Sequence, residues 1–86
     1  MANSAQARKR ARQNDNRRQH NAALRSKMRT AIKRVRNAID AGEKEQAQEA
    51  FKMAVPVLDK MTSKGIVHKN ASSRYKSRLS ASIKAL

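Results

Sequence analysis

No proline and no glycine occurs before Gly42, and between Arg8 and Ala41 a dozen Lys and Arg stand against only two acids, Asp15 and Asp40. Such a stretch reads as one uninterrupted helix, and at about 1.5 Å rise per residue it makes a rod of roughly 50 Å. A chain of 86 residues cannot bury a rod of that length on all sides. Large apolar residues begin only at Leu24 and recur at Met28, Ile32, Val35 and Ile39, the spacing that marks one face of a helix. Ahead of Leu24 stand only Ala5, Ala7, Ala11, Ala22 and Ala23, which favour helix but bury little. The rod therefore divides into a basic arm over residues 1–22 and a half that packs on protein, within a bundle over residues 23–86.

The stops are read from the glycines. Asn3 or Ser4 can cap the start of the first helix, and Gly42 suits the left-handed position just past its end. A second helix then starts near Glu43 or Lys44, burying Ala47, Ala50, Phe51, Ala54, Val57, Leu58 and Met61. Pro56 lacks an N–H and crowds the carbonyl of Lys52, which predicts a kink or a locally broken ladder rather than a full stop, since the apolar period continues in phase. Gly65 ends this helix, with Met61 and Ile66 at the two positions that touch in a Schellman motif. A third helix follows from about His68 or Asn70 to Ala85, its buried stripe Ala71, Tyr75, Leu79, Ile83 (or Ser82) and Leu86. The fold class is all-α: a three-helix antiparallel bundle whose long first helix extends beyond it as the basic arm.

Net charge decides the partner class. The chain carries +15, distributed as +11 over residues 1–36, −2 over 37–60 and +6 over 61–86. Like charge at this density opposes compaction and suits a chain bound to a polyanion, with one surface facing it and an acidic corner of Asp40, Glu43, Glu45, Glu49 and Asp59 facing away. A solvated charged helix is the plain alternative for the arm, but six cations with one acid forgo the i,i+4 ion pairs that support a free-standing helix. Arg8, Lys9, Arg10, Arg12, Arg17 and Arg18 suit phosphates; Asn3, Gln6, Gln13, Asn14, Asn16, Gln19, His20 and Asn21 can donate and accept toward sugars and bases. With no apolar face, the arm is expected to be frayed or disordered alone and helical when bound to its polyanion.

Other chemistries find little support. The chain has no Cys, so disulfides and thiolate metal sites are excluded. His20 and His68 lack neighbouring ligands at a recognised metal spacing, and neither a metal nor a cofactor is expected. The serines have no His–acid partner and no Gly-rich phosphate loop occurs, so no enzyme is expected. Phe51 and Tyr75 are the only aromatics; Tyr75 sits in the buried register, where core packing is favoured over base stacking. No apolar run reaches the roughly 20 residues of a membrane span. A transit peptide or a membrane-surface helix would need an apolar face that the arm lacks. A histone-like DNA-binding architectural protein is the alternative function, but no apolar wedge or dimer interface of the kind such proteins use is evident.

Three blocks identify a resemblance. They are Met1-Ala2-Asn3 with Ala7-Arg8-Lys9-Arg10; His20-Asn21 through Leu24-Arg25-Ser26 to Arg29-Thr30-Ala31-Ile32-Lys33; and Lys64-Gly65-Ile66-Val67-His68-Lys69-Asn70 on through Arg74 to Lys76-Ser77-Arg78-Leu79. Together they resemble the bacterial small-subunit ribosomal protein S-twenty family over essentially the whole chain. Gln6 and Tyr75 depart from it, where more basic or polar residues are usual. The resemblance implies a cytoplasmic, ribosomal, non-enzymatic protein with a long first helix, which binds small-subunit ribosomal RNA directly, holds RNA helices together during assembly and has other small-subunit proteins as neighbours. Neither a membrane nor a homo-oligomer is implied. Carried over by position, Arg8, Lys9, Arg10, His20, Asn21, Arg25, Ser26, Arg29, Lys33, His68, Lys69, Asn70, Arg74, Lys76 and Arg78 become RNA contacts.

Overall fold

The computed structural model describes residues 3–86, without the side chain of Asn3. The capping and RNA-contact expectations for the Asn3 side chain, and Met1-Ala2 at the start of the first block, lie outside what is described. Three helices follow in order: α1 (Asn3–Asp40), α2 (Lys44–Ser63) and α3 (Lys69–Lys84), with no strand among the described residues. The molecule measures 64 × 21 × 15 Å. Its long dimension is set by α1, whose 38 residues give about 57 Å of helix.

Packing begins where the apolar stripe begins. Residues 4–20 are all exposed, whereas Met28, Ile32 and Val35 are buried. The core has two clusters. Val35, Ala47, Ala54, Leu79 and Ile83 form one near the α1–α2 turn; Met28, Ile32, Leu58 and Met61 form the other near the α2–α3 turn, with Leu24, Val57, Ile66, Val67 and Tyr75 around it. Ala47 and Ala54 are completely buried. Having only a methyl group at these positions lets α2 lie close along α1.

Both turns are Schellman motifs built on glycine. Gly42 (φ 71°) donates to the Ile39 carbonyl and Glu43 to that of Ala38; Gly65 (φ 73°) donates to Thr62 and Ile66 to Met61, each at 3.0 Å. Only the second has the apolar clasp, because Ile66 packs on the cluster containing Met61 whereas Glu43 is exposed. A Cβ added at either glycine would meet nothing within 4 Å, so the requirement for glycine is backbone conformation and not space. Gly65→Val is accordingly expected to lose about 1–3 kcal/mol in urea unfolding. Gly65→Asn should recover part of the loss, since Asn tolerates the left-handed region. Equal stability of the Val variant and the parent would refute the cap.

Pro56 leaves α2 unbroken from Lys44 to Ser63. Lys52 and Pro56 are exposed, so the freed carbonyl lies on the solvent side while Ala54, Leu58 and Met61 keep the buried face in phase. At α3 the structure adds a cap, His68, whose Nδ1 accepts from the Asn70 N–H at 3.1 Å.

The expected stripe of α3 needs correction. Ser72, Leu79 and Ile83 are its buried residues; Ala71 and Tyr75 are half-buried at its edge, Ser82 is exposed, and Leu86 is 40% exposed. The cause is packing. α3 rests mainly on α2 and only lightly on α1, which turns its innermost line toward α2. Ser72 Oγ is thereby buried without a partner. Leu86 falls outside because the helix stops at Lys84, before the stripe reaches its next turn.

Candidate nucleic-acid interface

The light contact between α1 and α3 leaves an open groove with a consistent chemistry. Its upper part, about 630 Å³, is lined by Arg36, Ile39, Asp40, Ala71, Arg74, Tyr75, Arg78, Leu79 and Ser82. The adjoining part, about 420 Å³, is lined by Arg25, Met28, Arg29, Ile32, Lys33, Arg36, Val67 and Tyr75. The two share Arg36 and Tyr75, so one groove collects five arginines and one lysine. Arginine's planar fork of donors matches phosphate oxygens two at a time, which lysine's point charge cannot do.

Helix geometry extends this surface onto the arm. Arg18, Arg25, Arg29 and Arg36 are separated by seven, four and seven residues, intervals that keep them on one face of α1 over about 27 Å. Arg10 and Arg17 precede Leu24 in the same seven-residue register. Past the end of the bundle, therefore, the arm continues the core stripe with cations.

On α3 the flanks differ. Arg74 and Arg78 line the groove, and the Arg74 Nε also donates to the Asn70 carbonyl at 3.4 Å. Lys76 lies on the α2 side, where its Nζ donates to Asp59 Oδ1 at 2.8 Å. Glu45 and Glu49 line the grooves that α2 makes with α1 and with α3. The α1–α2 groove, about 820 Å³, is larger than either part of the arginine groove taken alone, but mixes Lys27 and Arg34 with those two acids and exposed Met53. For a polyanion, charge decides between them.

Of the residues expected to contact RNA, Arg25, Arg29, Lys33, Arg74 and Arg78 come together in the groove. Arg8, Lys9, Arg10, Arg12, Arg17, Arg18 and His20 are exposed along the arm, with Asn21 half-buried where the bundle starts. His68, Lys69 and Asn70 sit at the α2–α3 turn and are exposed. Ser26 is exposed but lines none of these grooves, and its carbonyl accepts from Thr30 Oγ1 at 2.9 Å. The Tyr75 expectation is met in part: its side chain packs on the Met28–Met61 cluster and also lines the groove. Arg36 lines both parts of the groove but was not among the expected contacts, although its spacing from Arg29 and Arg25 was visible in the sequence. Asp40 departs from the acidic corner assigned to it and lines the arginine groove instead.

Among the described residues no group of three or more His, Asp or Glu is placed to hold a metal ion. None of the described helices is long and apolar enough to cross a membrane.

Comparison with known proteins agrees with this architecture. Residues 2–84 match the family described as Ribosomal protein S20. A protein of Dechloromonas aromatica (strain RCB), named small ribosomal subunit protein bS20, is 69% identical over 86 residues, covering all of this chain and 97% of the relative. Proteins with the same name from Acinetobacter baylyi and Saccharophagus degradans are 64% and 60% identical, covering all of this chain and 97% and 98% of theirs. With nearly every residue of three helices matched, the chain belongs to the ribosomal protein S20 family, a family of structural, non-enzymatic components of the ribosome.

Proposed function

We propose that this chain is a structural constituent of the bacterial small ribosomal subunit, working in the cytoplasm, that binds small-subunit ribosomal RNA directly and holds RNA segments together during assembly. The observation that carries the reading is the arginine groove between α1 and α3, continued along the arm by Arg18, Arg17 and Arg10. Phosphates from one RNA segment lie in the groove and those of another along the arm. Neutralising both lets the segments approach, with release of their condensed counterions. The test is co-sedimentation with small ribosomal subunits through a sucrose gradient at moderate salt, against an equal mass of duplex DNA as competitor. Retention on the subunits is expected; transfer to the DNA would favour a histone-like protein.

Residues 1–22 act as an arm ordered by RNA. Residues 4–20 are exposed throughout, so their helix rests on backbone hydrogen bonds alone while its cations repel one another. Amide exchange in the arm is expected to be fast in the free protein and slowed by RNA, whereas amides around Val35 and Leu58 stay protected in both states. Strong protection of the arm without RNA would refute the division.

A further inference from the structure

Phosphate neutralisation accounts for the arginines of the groove but not for Asp40. This residue ends α1, where unpaired carbonyls make a carboxylate unfavourable. It lines the same pocket as Arg36, Arg74 and Arg78, yet the only ion pair among the described residues is Lys76–Asp59. An exposed carboxylate that repels phosphates and has no ion-pair partner among the described residues calls for a different ligand group. The pocket beside it is also not uniformly charged: Ile39 and Leu79 give it an apolar wall and Tyr75 an aromatic one. Its volume, about 630 Å³, lies within the usual range of ligand sites.

We propose that this pocket holds one unpaired guanosine of the bound RNA, with Asp40 reading the base. The proposal rests on the RNA-binding function above. Unpaired bases are recognised by laying their faces on aromatic, apolar or guanidinium planes and by hydrogen bonds to their edges. A carboxylate offers acceptors only. Guanine is the one common base whose pairing edge presents two adjacent donors, N1–H and the N2 amino group, matching the two oxygens of Asp40. Adenine, cytosine and uracil each place an acceptor beside their donor, and that acceptor would face a carboxylate oxygen. Arg36, Arg74 and Arg78 hold the flanking phosphates, offsetting the repulsion between Asp40 and the backbone. Within a duplex the guanine edge is occupied by pairing, so the nucleotide must be bulged or looped out.

The test uses the full chain and four RNA hairpins that differ only in a single bulged nucleotide, G, A, C or U. The G bulge is expected to bind about tenfold more tightly than the others, the discrimination typical of one bidentate base contact. A bulged inosine, which lacks the N2 amino group, should fall between. In Asp40→Asn the preference should vanish: binding of the G bulge should fall to the level of the other three, while binding of the A, C and U bulges stays equal to or tighter than before, since a negative charge has left the groove. That variant removes an exposed acid from a helix C-terminus, so its fold is expected to be intact, checked by an unchanged urea midpoint. A preference for G that survives in Asp40→Asn would overturn the assignment of Asp40. Salt-dependent binding without any base preference would overturn the pocket and leave the RNA-binding function standing. Failure to bind any hairpin would overturn both.

Discussion

Changing Arg25, Arg29 and Arg36 together to Gln should flatten the salt dependence of RNA binding by about 3 units in d log K/d log[salt], roughly one for each phosphate no longer neutralised. Binding at low salt should weaken with it. These residues are exposed on one face of α1 and Gln is a good helix former, so the fold should survive. Arg8, Lys9, Arg10 and Arg12 changed together to Gln should give a comparable effect if the arm engages phosphates in its own right. The control is Glu43, Glu45 and Glu49 to Gln, where Glu45 and Glu49 line grooves other than the arginine one. Their removal should leave the slope nearly intact. Equal slopes in the parent and the groove variant would show that RNA does not lie between α1 and α3. A change of slope in the Glu variant as large as in the others would place RNA against α2.

Leu58→Ala is expected to cost about 2–5 kcal/mol, the range for emptying a leucine site in a packed interior. Leu58 is completely buried and belongs to the cluster in which Met28 and Ile32 of α1 meet Met61 near the second turn. A domain this small has stability of only about 5–15 kcal/mol at best, so the variant should be substantially unfolded at modest urea. Met53→Ala on the same helix is the comparison. Met53 is 67% exposed, and its truncation should stay within about 0.5 kcal/mol. Urea midpoints by circular dichroism measure both, and similar midpoints would mean that the cluster around Leu58 is not closely packed.

What the sequence made legible was whatever depends on local rules. Helix ends follow from Gly42 and Gly65, whose conformational demands are set by their own backbone, and the Met61–Ile66 clasp was readable for the same reason. The α1 and α2 faces were legible because Met28, Ile32 and Val35 on one helix and Ala54, Leu58 and Met61 on the other keep a strict period. The rotation of α3 was not. Ala71 and Ser72 compete for the same turn, and apolarity favoured the alanine; the lean of α3 onto α2 buried the serine instead. That same lean opened the groove, brought Asp40 into it and turned Lys76 toward Asp59. Charge runs locate a binding surface only to within a helix, because which flank is used depends on where the neighbouring helix is absent. His68 was expected to contact RNA, but its ring nitrogen also caps α3, a role that histidine seldom signals in a sequence.

The two tight glycine turns carry a kinetic consequence. Each helix packs mainly against the one that follows it in the chain, and α1 and α3, the pair farthest apart in sequence, touch least. Folding therefore closes short loops and waits on few distant encounters, a low-contact-order topology that places such bundles among microsecond-to-millisecond folders. The exposed residues 4–20 add no loop to close and no core to find. In the proposed RNA-binding role, a bundle that forms this quickly would present Arg25, Arg29 and Arg36 in register before a slower-folding RNA has settled, as a template around which the RNA completes its own search.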